Sequence, residues 1–306
     1  MQEDGSRRAI AAAFLANLGI AIAKFVAFLI TGAASMLAES VHSLADTGNQ
    51  GLLILGTSRA RRAATHEHPF GFGRERYFWA FVVALVLFSL GSIFAIHEGV
   101  DKLRHPHQLV SPAVALGVLA LAIALESWSF RTAIVAAQST RGNQGWWAFI
   151  RRSKSPELPV VLLEDLGALL GLVIAGVGVS LSAAFDDPRF DAIGSIAIGA
   201  LLGAIAIVLA AEMKSLLIGE SAAQEVRGAI RTTIEGSPSV RRLIHMRTLH
   251  LGPEELLVAA KVEFDVGLDI PGLASAIDDL EAAIRQRVPI ARVIYLEPDI
   301  ARSASA

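Results

Sequence analysis

In AESVHSLADTGNQ, residues 38–50, His42, Ser43, Asp46, Asn49 and Gln50 follow Glu39 at offsets of 3, 4, 7, 10 and 11. Such offsets fall on one face of an α-helix, so the six residues form a single polar stripe. His42 and Asp46 lie about one turn apart, roughly 6 Å along the axis. At that spacing an imidazole nitrogen and a carboxylate oxygen can meet on one cation. The chain has no cysteine, which excludes thiolate ligands, disulfides and a cysteine nucleophile. Imidazole and carboxylate donors without sulfur suit a divalent transition ion such as zinc, manganese or iron.

The same stripe on a water-soluble protein would be a solvated surface. Composition argues against that setting. Of 306 residues, 53% are hydrophobic and only 18% are charged, with a mean hydropathy of +0.53. Soluble domains carry about 25% charged residues, so a membrane protein is expected. There an ionisable group costs about 2.5–3.5 kcal/mol or more at mid-bilayer. The stripe must then face a partner helix or a wet cavity. A net charge of −2 gives no reason to expect a nucleic-acid partner.

The elements that would position the stripe follow from hydropathy. Residues 9–30 are nearly continuous apolar sequence with Lys24 as the only charge. They exceed the roughly 7–15 residues of a signal-peptide core and read as a retained helix. Further spans are expected at 78–96, 112–125, 160–184 and 193–211. The polar helix at 35–57 makes six. Arg59, Arg61, Arg62, Arg74 and Arg76 follow the second span, and Arg141, Arg151, Arg152 and Lys154 precede the fifth. The positive-inside rule then places both termini in the cytoplasm of a multi-pass protein. Trp146 and Trp147 read as interfacial anchors.

From about Gly219 the pattern becomes αββαβ, the order of a small α+β, ferredoxin-like soluble domain. The expected domains are a six-helix transmembrane region, 1–218, and a cytoplasmic one, 219–306.

A partner for the stripe lies in SPELPVVLLEDLGALLGLVIAG. With Ser155 as cap and Pro156 in the first turn, Asp165 lies about 14 Å inside its helix, and Asp46 about 16 Å inside its own. The two carboxylates are expected at similar depth. Gly167 and Gly171 form a small-xxx-small pair that permits close helix approach. His42, Asp46 and Asp165 are the candidate ligands. Glu164, Asn49 and Glu39 are candidates for a further ligand or for groups that orient the ligands.

AESVHSLAD, the loop and helix start HPFGFGRERYFWA, LLED and the αββαβ tail together resemble the cation diffusion facilitators, in the zinc-transporter-9-like branch. The likeness runs through nearly the whole chain. It implies a homodimeric membrane transporter that exports divalent metal, zinc foremost, in exchange for protons, with no tightly bound cofactor and no enzymatic activity. The cell (inner) membrane is the expected location. The family's second-helix ligand pair falls on His42 and Asp46, and the second member of its fifth-helix pair falls on Asp165. The first member falls on Val161, which cannot bind metal, so a fourth donor must be water, Glu164 or an amide such as Asn49. The family's dimer charge lock falls on Arg74 and Glu220.

Resemblance also implies extra metal sites in the soluble domain of many relatives. Here only His245 and Glu297 remain and Lys261 replaces a ligand, so His245 and His250 read as ordinary strand residues. A passive metal channel and a membrane scaffold with a partner-binding soluble domain are the alternative functions. The residues suit zinc, manganese, iron and cobalt alike.

Overall fold

The computed structural model describes residues 18–106, 108 and 111–300. Residues 18–57 and 78–213 form one compact unit; 58–77 and 214–300 form another. The first contains α1 (Leu18–Thr31), α2 (Ala34–Ala60) and α3 (Glu75–Val86). A π-helical stretch, Leu87–Ile93, carries α3 directly into α4 (Phe94–Arg104). Then come α5 (Pro112–Arg141), the short α6 (Trp146–Arg152), α7 (Glu157–Phe185) and α8 (Arg189–Ile218).

Among the described residues, four helices are long and apolar enough to cross a membrane: Glu75–Arg104, Pro112–Gln138, Glu157–Phe185 and Arg189–Ile218. The chain is a helical, multi-pass membrane protein. The two other expected crossings are not among these four. Residues 9–17 of the first lie outside the described residues, and α1 is the shorter apolar remainder. The second, α2, has 27 residues but is too polar to qualify by hydropathy.

Burial on α2 is inverted relative to a soluble helix. Glu39, His42, Ser43 and Asn49 are buried, whereas Leu44, Ile54 and Leu55 are exposed. A helix that turns apolar side chains outward and charges inward has the polarity required by a lipid surround.

Two local expectations are corrected. The fourth span does not end at 125, because α5 runs on to Arg141. Glu126, Ser127 and Ser129 lower hydropathy there without breaking a helix, and no Gly or Pro intervenes before Gly142. Ser155 does not cap α7; Pro156 is itself the N-cap residue, and no side chain closes the first turn.

One buried carboxylate ties several helices together. Asp191, in the first turn of α8, accepts from the Ala34 N–H at 2.8 Å and from the Ser35 hydroxyl. It also receives the Lys102 ammonium at 2.9 Å. Lys102 donates to the Gly32 carbonyl at 2.8 Å as well. The N-terminal end of α2, whose amides have no partners within the helix, is thereby capped by a side chain from α8.

The π-helical stretch and α4 pack closely on α8. A Cβ on Gly199 would meet the Ser92 carbonyl oxygen at 2.8 Å.

The second unit holds α9 (Gln224–Glu235), β1 (Val240–Gly252), β2 (Glu255–Phe264), α10 (Ile270–Arg287) and β3 (Ala291–Pro298). This is a small α/β domain with a three-stranded sheet ordered β1-β2-β3. The β1–β2 pair is antiparallel and β2–β3 is parallel. Alternation along β2 turns Leu256, Val258, Ala260 and Val262 into a core with Ile230, Ile234, Leu280 and Ile284 of the two helices. The 58–77 segment belongs to this unit, and Gly73 sits against the β1–β2 turn. There a Cβ would meet the Leu251 carbonyl oxygen at 2.7 Å.

Gly199→Ala should lower the thermal unfolding midpoint in detergent by roughly 5 °C, as overpacking of one methyl does. Gly176→Ala, where a Cβ has nothing within 4 Å, should leave the midpoint unchanged or raise it. Equal midpoints for the two variants would contradict the packing described.

Candidate metal site

On α2 the His42 Nε2 and Asp46 Oδ2 atoms stand 3.5 Å apart. An ion bonded to both at about 2.0–2.1 Å would subtend roughly 115°, near a tetrahedral angle. Both His42 ring nitrogens and Asp46 Oδ1 are buried without a hydrogen-bond partner among the described residues. Buried polar atoms are normally satisfied; here they are left free where a ligand pair would need them.

Asp46 also lines a cavity of about 20 Å³ with Ser43, Gln50, Glu126, Val161, Glu164 and Asp165. A single water needs about 10–15 Å³ on this measure, so the space suits one ion-sized occupant. Asp46 of α2 and Asp165 of α7 thus border the same small volume. Ser129 of α5 donates to Asp165 Oδ2 at 3.2 Å. Asn49 donates to Glu164 Oε1 at 2.7 Å, which turns that carboxylate along α2. Among the described residues, no three His, Asp or Glu side chains converge closely enough to hold an ion. Asp46, Glu164 and Asp165 border one cavity without closing on a common centre, and His42 is not among the residues that line it.

Glu39 is directed elsewhere. Its Oε2 accepts from Lys24 Nζ at 3.2 Å, and Lys24 also donates to Ser43 Oγ at 2.7 Å. Its other oxygen packs against Gly171. A Cβ on Gly171 would collide with it, so the glycine lets α2 and α7 approach. Gly167 instead faces α8, where a Cβ would meet Ile205 Cδ1 at 2.8 Å.

Glu126 was missed by reading the residues in order. Its sequence signal is a lone acid near the middle of a long apolar helix. Because the fourth span was expected to end at 125, the acid fell outside it.

In the second unit Arg74 lies beside Gly219, one terminal nitrogen 3.7 Å from where a Cβ would be. The adjacent Glu220 accepts the His250 N–H at its carbonyl, at 2.9 Å. The structure therefore brings Arg74 and Glu220 into one neighbourhood within a single chain.

His245, Lys261 and Glu297 form a row across the three strands. Lys261 Nζ reaches Glu297 at 3.0 Å and Asp299 at 3.2 Å, and these carboxylates, Glu297 first, raise its pKa above the ordinary lysine value. An ammonium therefore stands where a bound cation would otherwise pair with those acids. His245 Nε2 accepts from Arg247 at 2.9 Å. Both findings fit ordinary strand residues.

A family model described as the cation efflux transmembrane domain matches residues 10–218. The mitochondrial proton-coupled zinc antiporter SLC30A9 of Homo sapiens is 33% identical over 247 residues, covering 79% of this chain and 43% of that protein. The chain thus spans less than half the length of that relative. Metal tolerance protein C4 of Arabidopsis thaliana is 29% identical over 267 residues, covering 87% of this chain and 58% of its own length. The cation-efflux pump FieF of Serratia proteamaculans is 25% identical over 286 residues, covering 94% and 90%.

Lys24→Met should cost about 3–5 kcal/mol, because it strands a buried carboxylate. The double variant Lys24→Met/Glu39→Gln should recover most of that loss. A double-mutant cycle on unfolding in detergent measures it, and purely additive losses would show that the pair is not coupled.

Proposed function

The chain belongs to the cation efflux family, within the zinc-transporter-9-like branch, and from that premise we propose that it exports a divalent metal, zinc foremost, in exchange for protons. The observation that carries this reading is the ion-sized cavity shared by Asp46 and Asp165 from two different helices. His42 stands at ligand-pair distance from Asp46. The names of SLC30A9, a proton-coupled zinc antiporter, and FieF, a cation-efflux pump, agree with it.

In this reading His42, Asp46 and Asp165 hold the ion, and Glu164, oriented by Asn49, stands beside them. Glu39 acts at a distance, by holding Lys24. Metal ligands must be deprotonated, so a cation and protons compete for the same lone pairs. Alternating exposure of the site to the two sides would couple metal release on one side to proton uptake there. Six crossings are proposed, with α1 and α2 completing the four apolar helices and both termini in the cytoplasm. Residues 1–218 form the transport domain. Residues 219–306 form the cytoplasmic domain that joins two copies, with Arg74 and Glu220 near its junction. A cell membrane is the proposed location.

Purified protein in liposomes should move protons against a zinc gradient, read by a pH dye in the lumen. Asp46→Ala and Asp165→Ala should each reduce zinc flux at least about a hundredfold, the loss of a ligand exceeding that of groups that only orient ligands, while leaving the folded protein intact. Zinc flux with no counter-movement of protons would reject antiport. Wild-type flux in both variants would reject the site.

A further inference from the structure

We propose that the Glu126 carboxylate of α5 is itself a ligand of the transported cation, supplying the donor that Val161 cannot supply on α7. The inference rests on the metal-transport reading above and assigns that site a fourth protein ligand from a third helix.

Glu126 and Val161 line the same small cavity, together with Asp46, Glu164 and Asp165. Glu126 is only 9% exposed. Unlike the other strongly buried charges of this unit, it has no hydrogen bond or ion pair among the described residues. Lys24 serves Glu39, Lys102 serves Asp191, and Asn49 serves Glu164. Glu126 lies about 21 Å from the start of α5 on a rise of about 1.5 Å per residue, near mid-helix. A charge there is expensive and marks ion pathways more often than structure.

The backbone brings this carboxylate to the right side of the cavity. Ser129, one turn further along α5, bonds Asp165 of α7. Below it Ala133 and Ala137 of α5 pack on Leu162 of α7, with Val161 at the edge of that cluster. The face of α5 that bears Glu126 is therefore held against the turn of α7 that bears Val161 and Asp165. Val161 occupies its place as an apolar wall. The Glu126 oxygens border the same space from the neighbouring helix.

The donor set then becomes one imidazole and three carboxylates. Such an oxygen-rich set suits manganese and iron as well as zinc.

The test measures equilibrium binding of Zn²⁺ and Mn²⁺ to the purified full chain in detergent, with unfolding midpoints as a check on folding. Glu126→Gln keeps the shape and removes the charge. It should raise Kd at least about tenfold, no less than the loss caused by removing groups that merely orient ligands. Adding Val161→Asp to that variant should restore most of the affinity, since it returns a donor to α7. Co²⁺ supplies a second readout: its intense four-coordinate visible bands should weaken in Glu126→Gln. Unchanged Kd and unchanged Co²⁺ bands in Glu126→Gln, beside lost binding in Asp46→Ala and Asp165→Ala, would overturn the role of Glu126 and leave the metal site standing. A loss that well-folded Glu126→Gln/Val161→Asp fails to recover, with Co²⁺ bands unchanged, would also overturn it. Wild-type binding by Asp46→Ala and Asp165→Ala would instead remove the metal reading on which the inference rests.

Discussion

The structure of the membrane region depends on the cost of placing an ionised group where water is scarce. In lipid a bare charge at mid-depth costs about 2.5–3.5 kcal/mol or more, while two opposite charges 4 Å apart attract by about 4 kcal/mol at an effective dielectric near 20. The two quantities are similar. A charged side chain can therefore stay inside the bundle only beside a partner or beside a ligand. Lys24 with Glu39 and Lys102 with Asp191 are cases of the first kind, at 3.2 and 2.9 Å.

Those pairs also determine how the helices are arranged. Asp191 of α8 caps the start of α2 while Lys102 of α4 binds both that carboxylate and the α1–α2 turn. Lys24 of α1 then fastens the first half of α2 through Glu39 and Ser43. Buried ion pairs add little net stability over apolar packing, but breaking one is costly. Their consequence here is registry: α2 is fixed in rotation and height, with His42 and Asp46 turned inward. Apolar contacts alone leave a helix in lipid freer to rotate, because a leucine packs as well against lipid as against another helix.

The cavity carries the remaining imbalance. Asp46, Glu126, Glu164 and Asp165 crowd around about 20 Å³, and the nearest ammonium, Lys24, is engaged by Glu39 and Ser43. Four acids around a space for one ion repel one another whenever they are ionised together. A divalent cation relieves that repulsion directly, and protons relieve it in the cation's absence. In the proposed antiport this exchange would couple metal movement to proton movement. In the second unit Lys261 places a covalently tethered cation between Glu297, which is exposed, and Asp299.

Much of this was legible in the chain itself. The offsets from Glu39 to Gln50 determined that one face of α2 is polar, because helical periodicity is local. Hydropathy located the long apolar helices, and alternation with breakers placed β1, β2, α10 and β3 in order. Only the tertiary structure decided which acids share a space. Glu39 sits on the same stripe as Asp46, yet Lys24, far from it in sequence, takes Glu39 away from the cavity. Glu126, the one acid of α5, is brought to the cavity by the packing of α5 on α7. Asp191, an unremarked acid at the start of α8, becomes the cap of α2. The physical reason is that periodicity specifies the direction of a side chain relative to its own helix axis. Which partner it meets depends on rotations and crossing points of several helices, and these are set by contacts between residues distant along the chain.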